Sequence, residues 1–213
     1  MKKIIILCAG DFGKEVVWLL EDINKKNPSY EIVGFLDDDE AKKGIIFKGY
    51  ECLGTTEQLK TLAEKDDVCA VVATQDGSIR KKIVEKHSEF TNWETLIHPS
   101  VTISDTSSVG KGSIVCANTN ISISTNIGNH CILNLGTTIG HDCEISDYVS
   151  FMSGSVISGH VRIGEGAYFG SNSTVVPGRK IGANSVVGAG SVVIRNVRDN
   201  ISVMGVPAKM IKF

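Results

Sequence analysis

With 22 basic and 24 acidic side chains among 213 residues, and no basic block, the chain carries a formal net charge of −2 and offers nucleic acid no electrostatic footprint. Its 42% hydrophobic content suits a globular protein of one or two domains, and no apolar run approaches the ~20 residues that span a membrane. The six cysteines, at 8, 52, 69, 116, 131 and 143, form no CxxC pair and no His/Cys spacing suited to zinc, so they read as reduced thiols in a cytoplasmic protein.

The start, Met1-Lys2-Lys3 followed by Ile4 to Ala9, superficially resembles a signal peptide. Its apolar run is too short and Gly10-Asp11 follows at once, so a buried first strand over Lys3–Ala9 is the better reading. Gly10-Asp11-Phe12-Gly13 turns the chain into a helix over Lys14–Asn24, with Val16, Val17, Leu19, Leu20 and Ile23 on one face. A second strand, Tyr30–Leu36, ends in Asp37-Asp38-Asp39. A looser segment with a short helix near Glu57–Glu64 leads to a third strand, Val68–Ala73. Thr74-Gln75-Asp76-Gly77 then opens a helix over Ser78–His87, with Ile79, Ile83 and Val84 inward. Alternating strands and helices in about ninety residues predict a small parallel sheet with crossover helices, a Rossmann-like α/β domain over residues 1–96. His98-Pro99 marks the hand-over, because proline disfavours helix in the residue before it.

From Ile97 a different rule takes over. Every sixth residue from Ile97 to Val193 is apolar, seventeen in succession. The fourth residue after each is small in nearly every turn, with Arg179 the one large exception, and the residue just after it is often glycine. This is the signature of a hexapeptide-repeat solenoid over residues 97–213, a parallel β-helix in which three units close an eighteen-residue coil and successive coils stack at about 4.8 Å. Glycine is expected to supply the turn conformations. Cys131 and Cys143 take the small inward slot. The period breaks at Asp199, and the tail from Ile201 is expected to fold back on the last coil.

Chemistry has two places to sit. The Gly10-x-x-Gly13 turn, between a strand and a helix, suits a phosphate-binding loop, and Asp37 and Asp38 close the second strand where a ribose or sugar hydroxyl could be held. Cys8 occupies the place of the first glycine of a dinucleotide motif, which leaves a nucleotide sugar, a dinucleotide or a plain structural turn open. Of the five histidines, His87 ends a charged helix and reads as solvated, and His130 and His160 share a polar slot of the repeat. His141 differs: it lies between Gly140 and Asp142, whose carboxylate could hold one ring nitrogen and raise the basicity of the other if one of the two stands at a corner. Asn134, seven residues upstream, is near enough along the coil to help. Gly159, one coil beyond His141, could present its N–H to a developing oxyanion. A surface histidine and a turn glycine are the plain alternatives. Nothing in the spacing calls for a metal.

The solenoid, Gly140-His141-Asp142, Asn172-Ser173 with Val175-Val176-Pro177-Gly178, and the ending Gly205-Val206-Pro207-Ala208-Lys209 resemble the left-handed β-helix acyltransferases. The Ala9-Gly10-x-x-Gly13 turn and Phe35-Leu36-Asp37-Asp38 narrow the resemblance to bacterial sugar O-/N-acetyltransferases, typified by the sialic-acid-locus enzymes and the nucleotide-4-amino-sugar N-acetyltransferases. That resemblance implies a homotrimer with active sites between neighbouring solenoids, acetyl-CoA in the groove between subunits, and a nucleotide sugar on the N-terminal domain. It implies His141 as general base and Asp142 as its supporting acid. Gly10, Asp11 and Phe12 would meet the sugar nucleotide with Asp37 and Asp38, and Ser150, Gly159, Ser171 and Ala189 would meet acetyl-CoA. Gln75 stands where some relatives carry a glycine that meets the nucleotide, and Ser150 where some have a histidine. The expected reaction is acetyl transfer to the C4 amine of a nucleotide-linked deoxyamino sugar. The alternatives are O-acetylation of a sugar hydroxyl and a non-catalytic, sugar-nucleotide-binding trimeric scaffold.

Overall fold

The computed structural model describes residues 1–211. Its first half is a five-stranded sheet in the order β3-β4-β2-β1-β5. The strands are β1 (Lys2–Leu7), β2 (Tyr30–Leu36), β3 (Ile46–Phe47), β4 (Tyr50–Gly54) and β5 (Val68–Val72), and the helices are α1 (Asp11–Lys26), α2 (Gln58–Lys65) and α3 (Gly77–Lys86). Strands β1, β2 and β5 pair in parallel and are largely apolar, as two covered faces require. The hairpin β3–β4, placed in a loose segment by the sequence reading, adds an antiparallel edge. Helix α1 begins three residues earlier than predicted, at Asp11. Helix α3 also departs from the amphipathic expectation: Ile79 is 44% exposed, and Arg80 is the buried residue beside it.

The second half is a three-walled prism built from two-residue strands. One wall runs from Leu96–Ile97 through Ile114–Val115, Ile132–Leu133, Ser150–Phe151 and Tyr168–Phe169 to Val186–Val187 and the tail. A second carries Thr102, Asn120, Thr138, Val156, Thr174 and Val192 outward, and a third Ser108, Asn126, Glu144, Arg162 and Lys180. Within the regular part, each strand pairs in parallel with the strand eighteen residues on, so apolar residues stack in columns such as Ile121, Ile139, Ile157, Val175 and Val193. Each fully buried aliphatic side chain contributes about 1.5–3 kcal/mol through removal from water. Phe151 and Phe169 stack in the axis with centroids 4.8 Å apart. The axial filling begins later than the period does. Ile97 is 38% and Ile103 37% exposed, because no earlier coil lies beneath the first.

Glycine does two jobs: it supplies left-handed corners at Gly112, Gly136, Gly154, Gly166, Gly178 and Gly190, and it makes room between coils just after the axial residues. From Gly112 to Gly190 the left-handed corners fall three residues after each axial residue and are taken by Asn118, Ser124, His130, Asp142, Tyr148, His160, Asn172 and Asn184 as well as by glycines. The glycines just after the axial residue have no positive φ; they sit under the next coil. A Cβ on Gly110 would stand 2.5 Å from the Gly128 carbonyl carbon and 2.7 Å from the Asn129 nitrogen, backbone that cannot swing aside. Gly110→Ala is therefore expected to lower unfolding free energy by about 1–3 kcal/mol, read as a shift of the urea midpoint without a change of slope. An unchanged midpoint would show that the coils can spread. The small inward residues are buried and tie the coils together: Ser113 Oγ donates to Gly128 O at 3.0 Å and Thr125 Oγ1 to Gly140 O at 2.8 Å.

The break in the period comes from one short coil. Val197 bridges Ile181 and Val203 pairs with Val187, each sixteen residues on, so the solenoid continues past Asp199 with two residues fewer. The tail then turns back: Met204 pairs antiparallel with Lys209, and Ala208 N–H donates to Val192 O. The two halves share a core. Leu96, Ile114, Cys116 and Ile132, on the outside of the first wall, are buried with Ile4, Ile6, Val16 and Leu20 of the α/β half.

Candidate active site

Asp142 takes the left-handed corner with φ 55°, and this resolves the geometric question raised by two adjacent side chains. The corner swings its carboxylate onto the preceding residue, and Oδ2 lies 2.7 Å from His141 Nδ1. With Nδ1–H donating to that carboxylate, Nε2 keeps its lone pair. Nε2 points along the prism onto Gly159, where a Cβ would sit 2.5 Å from it. Any side chain at 159 would push the imidazole out. In the corner column of Lys111, Asn129 and Ala183, each amide is capped by a side chain of the next coil: Asn129 Oδ1, Asp147 Oδ1 and Asp199 Oδ1. Gly159 has Pro177 at the corresponding place, and its N–H has no hydrogen-bond partner among the described residues. A basic nitrogen on an exposed side chain and an unused backbone donor on the buried glycine beneath it thus share one corner.

His160 joins them. Its Nε2 is 3.9 Å from Asp142 Oδ2, and its ring meets His141 edge-on at 4.9 Å. The eighteen-residue step that links His141 to Gly159 links Asp142 to His160, a signal present in the sequence but not followed there. Among the described residues these three form the group whose ligand atoms all lie within 4.8 Å of one another. The 2.7 Å contact is hydrogen-bond distance, shorter than the about 3.3 Å that separates ligand atoms around a tetrahedral zinc.

Ser171 and Ala189 are exposed and stack in another column, at the corner before the threonine-bearing wall, whereas His141 and Gly159 stand at the corner after it. Ser150 does not belong with them. It is 1% exposed, and its hydroxyl accepts from Arg80 Nη2 at 2.8 Å and donates to Gln75 O at 2.7 Å, so it faces the α/β half and not a cofactor groove. Asn134 is 4% exposed and lies on the opposite edge of the wall from His141, the edge that carries Ser171, with Oδ1 accepting from Leu135 N–H.

The second cluster lies at the carboxyl ends of β1, β2 and β5, the crevice side of a parallel sheet. Gly10 caps the sixteen-residue helix α1 without a side-chain cap, and its first helical residue, Asp11, is exposed. The Phe12 side chain is buried among Val16, Phe35 and the outer wall residues, so this residue offers only its backbone. Gly13 is required, since a Cβ there would stand 2.5 Å from Cys8 O. Cys8 itself adopts φ 78°, the conformation a glycine would take at this position, and burial pushes its thiol up to about 12. Asp37 Oδ2 accepts from Ala9 N–H and Lys42 Nζ, each at 2.8 Å. Burial raises the Asp37 carboxyl, but Lys42 and the amides of Asp39 and Ala9 outweigh it and hold it below the usual carboxylate range. Asp38 is braced by Thr56 and Lys86, which likewise outweigh burial. Lys42, Thr56 and Lys86 have no local sequence signal: Lys42 and Thr56 come from the connections after β2 and β4, and Lys86 from the end of α3.

The other histidines also differ from expectation. His130 is buried between Trp93 and Tyr148. His87 is half-buried with Nε2 unpartnered, and burial lowers its basicity.

The prism with its histidine corner is that of a left-handed β-helix hexapeptide acyltransferase: residues 160–195 match the family description "Bacterial transferase hexapeptide (six repeats)". Residues 3–87 match "PglD N-terminal domain". Perosamine N-acetyltransferase from Caulobacter crescentus, in a histidine-to-asparagine variant solved with CoA and GDP-perosamine, is 29% identical, with a TM-score of 0.91 over 100% of this chain and 98% of that one. The acetyltransferase domain of PglB from Neisseria gonorrhoeae is 27% identical, with a TM-score of 0.88 over 99% and 100%. WeeI from Acinetobacter baumannii is 26% identical, with a TM-score of 0.87 over 99% and 100%. No curated protein matches the sequence. Over essentially its whole length the chain is similar to these acetyltransferases, with a PglD-type N-terminal match ahead of a hexapeptide-repeat match.

Proposed function

We propose that the protein transfers acetyl from acetyl-CoA directly to the C4 amine of a nucleotide-linked deoxyamino sugar, with His141 as general base. The observation that carries this reading is the His141–Asp142–Gly159 corner. His141 Nε2 takes a proton from the amine as its nitrogen attacks the thioester carbonyl carbon. The oxygen that gains charge lies against the Gly159 N–H. The C–S bond then breaks, and the thiolate recovers the proton from Nε2, which returns His141 to its starting form. Asp142 keeps Nδ1–H in place and stabilises the transient imidazolium. The amine is already a good nucleophile, so no acyl-enzyme is needed.

The crevice at Gly10–Phe12, Asp37 and Asp38 holds the sugar nucleotide in this reading. Support comes from the Caulobacter and Neisseria structural neighbours, one solved with CoA and GDP-perosamine and the other with acetyl coenzyme A. The trimer is supported by the prism itself. In one chain His141 and Ser171 flank opposite edges of the same wall, so one acetyl-CoA meets both only between two copies. That wall presents Thr102, Asn120, Thr138, Val156, Thr174 and Val192, short and uncharged, as a close interface requires. Val156→Arg is expected to convert the trimer to monomers in light-scattering chromatography and to abolish turnover; a trimer of unchanged mass would place the interface elsewhere.

The deciding assay incubates the protein with acetyl-CoA and a panel of nucleotide sugars bearing amines or hydroxyls, beginning with GDP-perosamine. Mass spectrometry reads the added acetyl and a thiol reagent reads the free CoA. Acetylation confined to hydroxyl sugars would replace N- by O-transfer. Binding without thiol release would leave a scaffold.

A further inference from the structure

Arg80 is the largest fully buried side chain in the protein. It projects from the first turn of α3, immediately after the Thr74–Asp76 loop that leaves β5. Its fork donates from Nη1 to Thr74 O at 2.7 Å, inside the α/β half. The remaining donors cross to the prism: Nε to His130 O at 2.9 Å, and Nη2 to Tyr148 O at 2.8 Å, Val149 O at 3.3 Å and Ser150 Oγ at 2.8 Å. Ser150 completes the loop by donating to Gln75 O. Gly77 lies flush on the Tyr148 carbonyl, leaving no room for a Cβ. No carboxylate pairs with Arg80 among the described residues.

Adhesion alone does not call for this arrangement. The neighbouring contact between the halves is already apolar, through Leu96, Ile114 and Ile132, and an apolar residue at 80 would avoid the desolvation of a buried cation. What the guanidinium adds is direction. A planar fork with five N–H groups fixes orientation in a way that apolar contacts and a lysine ammonium do not. The loop it grips borders the crevice, because Ala73 N–H donates to Leu7 O and Val72 pairs with Leu7, just ahead of the Gly10 turn.

We infer that Arg80 is a positioning residue that sets the α/β crevice at a fixed place and angle against the prism, and so aligns the sugar nucleotide with the acyl-transfer edge without touching either substrate. The inference rests on the crevice being the nucleotide-sugar site. Burial lowers the guanidinium to about 10, so it stays charged at neutral pH.

The test compares wild type with Arg80→Met and Arg80→Lys, using acetyl-CoA and GDP-perosamine. In Arg80→Met the KM for GDP-perosamine is expected to rise at least about tenfold while acetyl-CoA affinity stays within about twofold. Hydrogen exchange at residues 74–77 is expected to quicken about tenfold, with the prism core around Phe151 to Ile163 unchanged. Arg80→Lys should fall between, since an ammonium can serve only part of the acceptor set. Wild-type exchange and KM in a folded Arg80→Met protein would overturn the inference. So would loss of affinity for both substrates with faster exchange throughout the prism, which marks general destabilisation. If Arg80→Met does not fold, Arg80→Lys carries the same comparison. If wild type acetylates no nucleotide sugar, the proposed function fails while the exchange difference still decides the role of Arg80.

Discussion

His141→Ala is expected to lower turnover at least about a hundredfold while acetyl-CoA affinity and assembly of the proposed trimer stay near wild type, because the variant would remove the proposed general base from an exposed position. The side chain is half exposed and its single described hydrogen bond is to Asp142, so the fold has little to lose. The same reasoning separates Asp142 from His141. Asp142→Asn keeps the left-handed corner, which asparagine tolerates, but can no longer fix Nδ1–H or stabilise the imidazolium, so its loss should be smaller and should fall on kcat. Single-turnover rates with saturating acetyl-CoA check both. Near-normal turnover in His141→Ala would transfer the base role elsewhere, with His160, beside the same carboxylate, the first residue to examine.

The prism was open to reading because its rule is covalent in spacing: one inward apolar residue per six admits neither a helix nor a flat sheet. The His141–Gly159 pairing followed from the same arithmetic, since an eighteen-residue coil places residues in columns before any coordinates exist. What stayed hidden depends on how the columns meet other things. Gly110, Gly140 and Gly170 looked like turn residues, yet the turn belongs to the residue two positions on; only the height of a coil reveals that their missing Cβ makes room for the backbone above. Ile79 looked inward by helical periodicity. The surface that covers α3, however, is a row of prism carbonyls, which selects Arg80. His130 looked like a polar repeat position and Ser150 like a cofactor contact, and both are interior because the α/β half lies over that wall. The hairpin β3–β4 was missed because β3 has only two residues, pairing at the sheet edge, and β4, Tyr50–Gly54, has no run of alternating or continuous apolar residues. Local pattern therefore reached each half of the protein and stopped at the contact between them.

That contact carries the second large expectation, an acid sensitivity centred on His130. The imidazole is 5% exposed, stacked on Tyr148 at 5.4 Å and edge-on to Trp93 at 5.3 Å, with Nδ1 unpartnered. Burial first, then the Arg80 guanidinium, push its pKa down to about 4, and Asp147 opposes them only in part. The unfolded chain binds this proton near 6.5. Because the folded value is the lower one, the neutral ring favours the folded state fully above about pH 6.5, and that advantage fades as pH falls from there toward 4. The whole interval corresponds to about 3 kcal/mol of unfolding free energy. His87, lowered by its own burial, adds in the same direction. Urea unfolding between pH 4 and 7 should therefore show stability falling with pH in wild type and a shallower fall in His130→Asn, a residue that accepts the left-handed backbone at φ 52°. The variant begins less stable at pH 7 because the aromatic stack is gone, so the informative quantity is the slope and not the intercept. Parallel curves for the two proteins would mean that His130 takes up its proton without disturbing the contact between the halves, and the acid sensitivity would then belong to His87 and to carboxylates held low in the fold, such as Asp37 and Asp38.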